Sequence, residues 1–314
     1  MPLAHGTELA RHAAVRWRRS ARGTLGLDIG SHAITLVAVR HTAAGPRLEA
    51  AVCGEVPHGA LHGHIVRDHA AVAQVVRGLA AAVRRWPVVT AVPASAVMMR
   101  RFAVAAGSGA SLDAAVLREA AGVVPDGLEQ AVLDYQVLDM DDAVARVLAV
   151  IARAELVRSY TATVRAAGLD PRHVDVDVLA LHRACRACPG GDAAALIHMG
   201  ARTVSVAVVR DDLPDLTGDV PAGPGVDIES LAAAVARLLD VPEPERSVAM
   251  LCGVPRRIAG FTGALARHSR WVIETLDPFA VFARPGERRL SDGDPAGFGV
   301  AVGLALRGTE RSWW

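Results

Sequence analysis

The chain of 314 residues contains no lysine and no asparagine, and all 34 of its basic residues are arginine. The missing lysine excludes a P-loop of the G-x-x-x-x-G-K-[ST] type, which places a lysine on the nucleotide phosphates. It also excludes Schiff-base and pyridoxal-phosphate chemistry, which needs a lysine amine, and a protein kinase of the V-A-I-K type. We attribute the general use of arginine to genome composition.

Long apolar runs and a strong net charge are also missing. No run of 18 apolar residues occurs, so we expect no transmembrane helix, and the beginning of the chain does not resemble a signal peptide. We therefore expect a cytoplasmic protein. The net charge of +1 gives no reason to expect nucleic acid as a partner, because binding to phosphates needs clustered basic charge.

The one uneven region of charge is residues 1–23, where five arginines and one glutamate give a net charge of +4. One interpretation is a disordered basic tail. The other is a short amphipathic arm that lies on anionic lipid at a membrane surface, since each basic residue near such a surface contributes on the order of 1 kcal/mol.

Two groups of soft ligands occur in the chain. Cys185 and Cys188 follow His182 with helical spacing, but Pro189 places them at a helix end, and no second pair follows to complete a zinc site. Incidental or structural cysteines are the preferred interpretation. A metal site is the less favoured interpretation of the histidines at 58, 62, 64 and 69, because they fall across a loop and a helix start.

The pattern of elements indicates two similar halves with a module inserted into the first. Residues 24–40 form two β-runs joined through Gly30 and Ser31, and residues 194–210 repeat this arrangement about 170 residues later. Strands at 47–56 and 88–93 and a helix at 66–85 complete the first half. A Gly/Pro/Asp-rich loop at 211–227 precedes a helix at 228–239, and the chain then gives a strand, a glycine turn and a helix at 249–265, a strand at 271–276 and a helix at 298–308.

The intervening segment, 95–178, has the order β-α-β-β-α-β, which is typical of a ferredoxin-like split βαβ module. Its second helix runs from Ala154 to Gly168 and its last strand is HVDVDVL. The expected organisation is a basic tail (1–23), a first lobe (24–94), the inserted subdomain (95–178), a returning helix and linker (179–192) and a second lobe (193–314).

A hairpin with glycine at its tip exposes backbone N–H groups and lets an anion approach without a Cβ in the way. Two such hairpins facing each other can hold a polyphosphate from both sides. Asp28, beside the first tip, can hold a metal-bound water, and the turn at Gly253 offers a place for a nucleoside.

These features resemble the PilM family of type IV pilus assembly proteins, within the actin-like ATPase superfamily, and more distantly the cell-division protein FtsA. The resemblance runs from about residue 24 to residue 308, and the stretch at 146–184 is the most distinctive. It is carried by GLDIGSHAITLVAV, VVTAVPASAVMMRRF, LDYQVLD, VLAVIARAELVRSYTATVRAAGLDPRHVDVDVLALHRA, LDPFAVF and GVAVGLALRG.

The resemblance implies an α/β, bilobed actin-like ATPase fold of two ribonuclease H-like domains with an inserted subdomain. It also implies ATP with magnesium between the lobes. By position, Asp28, Gly30 and Ser31 correspond to the first phosphate loop, Gly200 to the second, and Gly253 to the adenosine turn.

The partners implied by the resemblance belong to an inner-membrane machine. PilM-like proteins capture the short cytoplasmic tail of a PilN-like membrane protein in a groove that involves the inserted subdomain. They couple it to the motor layer, and so act indirectly on the pilus motor ATPases. The implied location is cytoplasmic, peripheral to the inner membrane, and the strand around 98–103 with Arg100 and Arg101 is the expected edge of the groove.

The chain departs from the family where nucleotide chemistry would occur. The usual lysine after the first phosphate loop is Thr35, the usual aspartate of the second loop is His198, and a cysteine precedes Gly253. Arg202 either replaces some of the lost positive charge or is a solvated turn residue. Because phosphoryl transfer depends on such preorganised charges, we expect ATP hydrolysis to be absent or vestigial and nucleotide binding to be weakened or lost.

The sequence therefore favours a scaffold over an enzyme. One alternative is a working ATPase of the same fold. A second is an enzyme similar to sugar or acetate kinases, for which the sequence offers no distinctive catalytic base. Metal binding through the histidine and cysteine groups is a third.

Overall fold

The computed structural model describes residues 23–83, 86–105, 111–125, 127–241, 247–253, 255–282 and 295–307. All but the last residue of the basic tail therefore lies outside the described residues. The strands are β1 (Gly23–Ile29), β2 (Ala33–Thr42), β3 (Gly45–Glu55), β4 (Leu61–His62), β5 (Ile65–Val66), β6 (Val88–Val92), β7 (Val97–Ala105), β8 (Ala131–Met140), β9 (Val144–Arg153), β10 (Pro171–Val176), β11 (Ala195–Met199), β12 (Thr203–Arg210), β13 (Leu213–Pro221), β14 (Val248–Gly253) and β15 (Val272–Thr275). The helices are α1 (His69–Leu79), α2 (Leu112–Val123), α3 (Ala154–Ala166), α4 (Asp177–Ala187), α5 (Ile228–Leu238), α6 (Pro255–His268) and α7 (Gly299–Leu306), with short 3-10 turns at 94–96, 278–281 and 295–298.

The first lobe is built on a five-stranded sheet in the order β10-β6-β1-β2-β3. β6 and β10 run parallel to β1, whereas β2 and β3 continue from β1 as an antiparallel meander. β1 and β2 are almost continuously buried because helices cover both faces of the sheet. On one face, Leu25 and Leu27 pack with Val76 of α1 and Tyr160 of α3.

The second lobe repeats this plan with a sheet in the order β13-β12-β11-β14-β15. β11 and β12 form the antiparallel hairpin, and β14 and β15 run parallel to β11. Ile197, Val235 and Phe261 join one face of this sheet to α5 and α6 in a single core. The predicted duplication of a strand-Gly-strand hairpin at the head of each half is confirmed.

Helices α4 and α7 lie between the two sheets. Val89 of the first sheet and Leu196 of the second share a core with Leu181 of α4 and Leu304 of α7. The backbones of the two helices are in direct contact, since a Cβ added to Gly303 would lie 1.7 Å from the Ala180 carbonyl oxygen. α7 is buried on every side, and this requires a sequence of glycine, alanine and aliphatic residues.

An ion-pair cluster fastens the end of α7 to the first lobe. One carboxylate oxygen of Asp175 lies 3.1 Å from an Arg183 nitrogen and 3.2 Å from an Arg307 nitrogen. The Asp175 side chain is 3% exposed and each arginine side chain 11% exposed. Burial acts to raise the pKa of Asp175, but the Arg307 and Arg183 guanidinium groups outweigh it and hold the pKa below its ordinary value.

The inserted module is smaller than the sequence predicts. Its sheet has three strands in the order β7-β9-β8, and α2 packs on one face through Val116 against Val104 and Val147. β10 pairs in parallel with β6 of the first lobe, and α3 packs there against α1. The prediction of a split βαβ module over 95–178 is therefore wrong in its last two elements, α3 and β10. The reason is that local sequence does not determine which strand a segment pairs with.

Three local predictions also need correction. The expected loop at 211–227 contains β13, whose prolines and glycine are tolerated because it is an edge strand. The helix expected at 66–85 begins only at His69, after Asp68, whose side chain accepts a hydrogen bond from the Ala71 N–H. The last helix was assigned to the second lobe, but α7 packs largely on β1, β2 and α4.

No described helix has the length and apolar character needed to cross a membrane.

Candidate functional site

One large cleft lies between the two lobes, with a cavity volume of about 1080 Å³. All five residues predicted for the phosphate and adenosine loops line it together, although they come from distant parts of the chain. They are Asp28, Gly30, Ser31, Gly200 and Gly253. We call it the interlobe cleft.

The two hairpin turns at the cleft are built in the same way. The Gly30 N–H donates a hydrogen bond to the Ala33 carbonyl at 3.0 Å, and the Gly200 N–H donates to the Thr203 carbonyl at 2.9 Å. A Cβ at Gly30 would lie 3.1 Å from the Ala33 oxygen, and one at Gly200 would lie 2.9 Å from the Thr203 oxygen. A side chain at Gly200 would therefore force the closed turn to shift, and one at Gly30 would crowd it, whether or not an anion binds.

Asp28 and His198 occupy equivalent places in the two halves. Each lies two residues before its turn glycine, and each is paired across its hairpin, Asp28 with Thr35 and His198 with Ser205. Directly paired residues project on the same side of the sheet, so Thr35 adjoins Asp28. The Thr35 hydroxyl is buried beside the cleft with no hydrogen-bond partner.

Asp177 is a cleft residue that sequence reasoning missed. It is the first residue of α4, and its Oδ1 atom accepts hydrogen bonds from the Ala94 N–H at 2.8 Å and from the Val178 N–H at 2.6 Å. The apolar alternation of HVDVDVL instead predicts that Asp177 belongs to a strand. The signal available was an acidic residue followed by an apolar run with helical spacing, which is typical of a helix start.

Burial shifts the pKa values of Asp28, Asp177 and His198 in the cleft. Burial, and secondarily the Asp177 carboxylate, raise the pKa of Asp28 to about 7. Burial also raises the pKa of Asp177, although His198 opposes this. The pKa of His198 is lowered by burial despite the nearby Asp177 and Asp219. At neutral pH the cleft therefore holds a neutral imidazole and carboxyl groups that retain protons more readily than usual.

Replacing Asp28 with asparagine should stabilise the protein at pH 8 more than at pH 5. A carboxyl whose pKa is raised on folding binds its proton more tightly in the folded state, so the stability it contributes falls as the pH rises from about 4 to about 7. The asparagine variant lacks this loss, and the expected gain at pH 8 is on the order of 2 kcal/mol. Urea denaturation of both proteins at the two pH values measures it. Equal changes at the two pH values would contradict the raised pKa.

Gly253 has a structural reason to be glycine. Its φ of +117° lies in the region that favours glycine, and a Cβ there would lie 2.1 Å from the Met199 carbonyl oxygen. Met199 and Gly253 are paired in the parallel ladder of β11 and β14. The glycine is thus needed to bring these strands together at the cleft, independently of any adenosine.

The other candidate residues divide between the cleft and the core. Arg202 is exposed in the second hairpin turn at the cleft, and His62 and His64 also line the cleft. Within the described ranges, no group of three or more histidine, cysteine or acidic side chains is arranged to hold a metal ion. Cys185 lies buried in the last turn of α4, and burial raises the pKa of its thiol to about 11, which agrees with a structural cysteine.

Arg101 holds the inserted module against the second lobe. Its guanidinium group donates hydrogen bonds to the Asp211 carboxylate at 2.9 Å and to the Arg210 carbonyl at 2.7 Å. Leu148 and Met99 of the module share a core with residues of the second lobe, among them Leu213. Arg101 therefore makes a contact within the molecule, whereas the sequence predicts it at an edge of the partner groove.

Two sheets with repeated topology, two glycine hairpins at one cleft and an inserted module after β6 define an actin-like ATPase fold with an extra subdomain. The family model described as type IV pilus assembly protein PilM matches residues 26–214. The chain belongs to the PilM family. No curated protein sequence matches it significantly.

Three solved structures are similar to the chain over most of its length. A "PilM-PilN type IV pilus biogenesis complex" is 25% identical with a TM-score of 0.73, covering 91% of this chain and 98% of that chain. The ethanolamine utilization protein EutJ from Carboxydothermus hydrogenoformans is 14% identical with a TM-score of 0.55, covering 90% and 89%. The cytoplasmic domain of EpsL, an inner membrane component of the type II secretion system of Vibrio cholerae, is 14% identical with a TM-score of 0.50, covering 91% and 95%. A far more distant structure, the AlfA filament, is described as bound to AMPPNP, and this is a property of that relative alone.

Proposed function

We propose that the protein is a cytoplasmic scaffold of a type IV pilus or related secretion machine that binds the cytoplasmic N-terminal tail of a PilN-like inner-membrane protein. The observation that carries the proposal is the likeness, over nearly the whole of both chains, to a PilM solved with PilN. By binding the tail of the PilN-like protein, the protein is held at the periphery of the inner membrane. It links the membrane proteins to the motor layer and its ATPases. The basic tail at 1–23 adds a direct contact with anionic lipid.

The inserted module supports the scaffold role because it is joined to both lobes. It enters from β6, returns through α3 into the first lobe, and contacts the second lobe through the core that Leu148 shares with it and through the exposed Arg101–Asp211 pair. A segment bound to the module is thus connected mechanically to the whole molecule. Such a connection is what an adaptor between a membrane tail and a motor requires.

We also propose that ATP and magnesium bind weakly or not at all, and that hydrolysis is absent or vestigial. In the first half of the cleft, the exposed Ser31 hydroxyl can reach a phosphate group, whereas the Gly30 N–H is already used within the turn. The second half places His198 where a metal site would need a carboxylate, and burial favours its neutral form. The raised pKa of Asp28 further weakens attraction for a cation at neutral pH.

The alternative is an actin-like ATPase that binds ATP and hydrolyses it slowly. The observation in its favour is Asp177, which lies in the cleft with a raised pKa and so resembles a general base. A phosphate-release assay separates the two functions. Magnesium-dependent turnover that is abolished in both Asp28→Ala and Asp177→Ala would establish the ATPase.

Binding of the tail is the direct test of the scaffold. Titration calorimetry of the purified chain with a peptide of the first twenty or so residues of the host's PilN-like protein should give a dissociation constant in the micromolar range or below. A scrambled peptide of the same composition serves as the control. No heat from the native peptide at high micromolar concentration would contradict the proposal.

A further inference from the structure

The first lobe has a second surface with a distinct chemistry, on the side opposite the interlobe cleft. β1, β6 and β10 are parallel and begin together at this side, where Leu25, Val88 and Pro171 are in register. The cleft lies at the other ends of the strands, where Asp28 and Ala91 line it. At 3.3 Å per residue, the length of β1 separates the two sides by about 20 Å.

The charged side chains at this side are mostly arginine. The strand register places two of them together, because Arg40 is paired with Arg47 across β2 and β3. α1 and α3 end here as well, since the Arg77 guanidinium donates a hydrogen bond to the Ala166 carbonyl at 2.7 Å. Five arginines form this surface, which we call the basic end: Arg40, Arg47, Arg77, Arg165 and Arg172.

Acidic side chains neutralise only part of the basic end. Glu49 and Asp170 each pair with one of its arginines, so the seven charged residues have a net charge of +3. Arg47 and Arg165 are exposed, and neither has an ion-pair or hydrogen-bond partner among the described residues. Their charges are therefore available to a partner molecule.

The basic segment 1–22 leads directly into this surface. Gly23, the first residue of β1, is paired with Arg40, so the segment joins the folded lobe at the basic end. It carries a net charge of +4, which has the same sign as the surface that it adjoins. Because like charges repel, the segment does not neutralise the basic end, and the two together call for an anionic partner.

Tryptophan beside arginine favours a lipid surface over a nucleic acid as that partner. Trp86 lies half-buried at the basic end, and the Arg40 guanidinium carbon is 5.4 Å from its ring centroid. In the segment 1–22, Trp17 stands between Arg16 and Arg18. Tryptophan is enriched where a membrane meets water, and clustered arginine binds the anionic headgroups there. The net charge of only +1 on the whole chain does not favour nucleic acid.

We propose that the basic end rests on the anionic lipid headgroups of the inner membrane. The inference rests on the proposed function for the presence of that membrane, and it extends the lipid contact from the tail to the folded first lobe. It also gives the molecule an orientation, because the interlobe cleft lies at the far side of the lobe and is turned away from the bilayer. Each basic residue near such a surface strengthens binding about fivefold.

Reversing two arginines tests the surface without breaking a described contact. Arg47→Glu combined with Arg165→Glu should weaken binding of the full chain to vesicles of phosphatidylcholine and phosphatidylglycerol at least about tenfold in a sedimentation assay. Arg237→Glu combined with Arg270→Glu makes an equal charge change on exposed residues of the second lobe. This matched control should bind as the wild type does, because charges beyond about 10 Å are screened.

Two further measurements make the result decisive. Binding of the wild-type chain should weaken as salt is added and should be lost on vesicles of phosphatidylcholine alone. Circular dichroism checks that each variant is folded. Arg47→Gln with Arg165→Gln, which only removes the charges, takes the place of the charge reversal if that variant does not fold.

A variant of the tail, Arg18→Glu with Arg19→Glu, separates this inference from the proposed function. If it abolishes vesicle binding while the Arg47 and Arg165 variant binds normally, the tail alone contacts lipid and the basic end is overturned. If the PilN-like peptide does not bind but the Arg47 and Arg165 variant weakens vesicle binding, the scaffold function fails and the surface stands. Binding of double-stranded DNA but of neither vesicle would identify nucleic acid as the partner and overturn the inference.

Discussion

Replacing Asp175 with asparagine should lower the free energy of unfolding by about 3–5 kcal/mol, since removing one member of a buried ion pair leaves its partners charged in a medium that solvates them poorly. Here two arginines lose their shared carboxylate, and each side chain is only 11% exposed. The effect should appear as a lower urea midpoint at neutral pH. It should shrink in acid, because the native carboxylate contributes stability only above its lowered pKa.

The matched control for this prediction is Asp170→Asn. Asp170 pairs with Arg172 at 2.6 Å, but both side chains are more than half exposed, and such pairs contribute about 0–1 kcal/mol. If the two variants had similar midpoints, the cluster at Asp175 would not be the fastening of α7 that the geometry indicates.

Replacing Gly303 with alanine should destabilise the protein by about 3 kcal/mol. The new Cβ would overlap the Ala180 carbonyl oxygen, and because this contact is with backbone, relief requires α4 and α7 to separate. Thermal unfolding followed by circular dichroism measures the change. Gly26→Ala should act in the same way, since its Cβ would lie 1.9 Å from the Ala301 carbonyl oxygen.

Gly78→Ala is the control for the helical glycines. Gly78 lies in α1 with open space around its Cβ position, so alanine there should stabilise the protein by about 0.5–1 kcal/mol through helix propensity alone. A destabilised Gly78 variant, or a neutral Gly303 variant, would show that propensity and not the close approach decides these positions.

The features that the sequence predicts correctly are those set by neighbouring residues. The hairpins at Gly30 and Gly200 follow from buried β-runs joined by a glycine turn, and the cap of α2 follows from Ser111, whose hydroxyl oxygen accepts a hydrogen bond from the Ala114 N–H. The gathering of Asp28, Gly200 and Gly253 in one cleft was predicted through the family resemblance.

The features that the sequence does not predict depend on distant partners. β10 has an apolar pattern that would suit the inserted sheet, and only its parallel pairing with β6 assigns it to the first lobe. β13 has a loop-like composition that its position at a sheet edge makes acceptable. Asp177 was missed because the boundary between β10 and α4 lies directly before it, and such boundaries are the least certain part of a sequence-based assignment.

The pair of helices between the sheets sets a limit on how the two halves can move. α4 and α7 touch backbone to backbone at Gly303, and α7 touches β1 in the same way at Gly26. Because no side chains lie between the backbones at these contacts, the elements cannot slide past one another by changing side-chain rotamers. Opening of the interlobe cleft must therefore carry α4, α7 and the first sheet as one block, with the second sheet turning against them on side-chain contacts that include the Arg186–Asp212 ion pair.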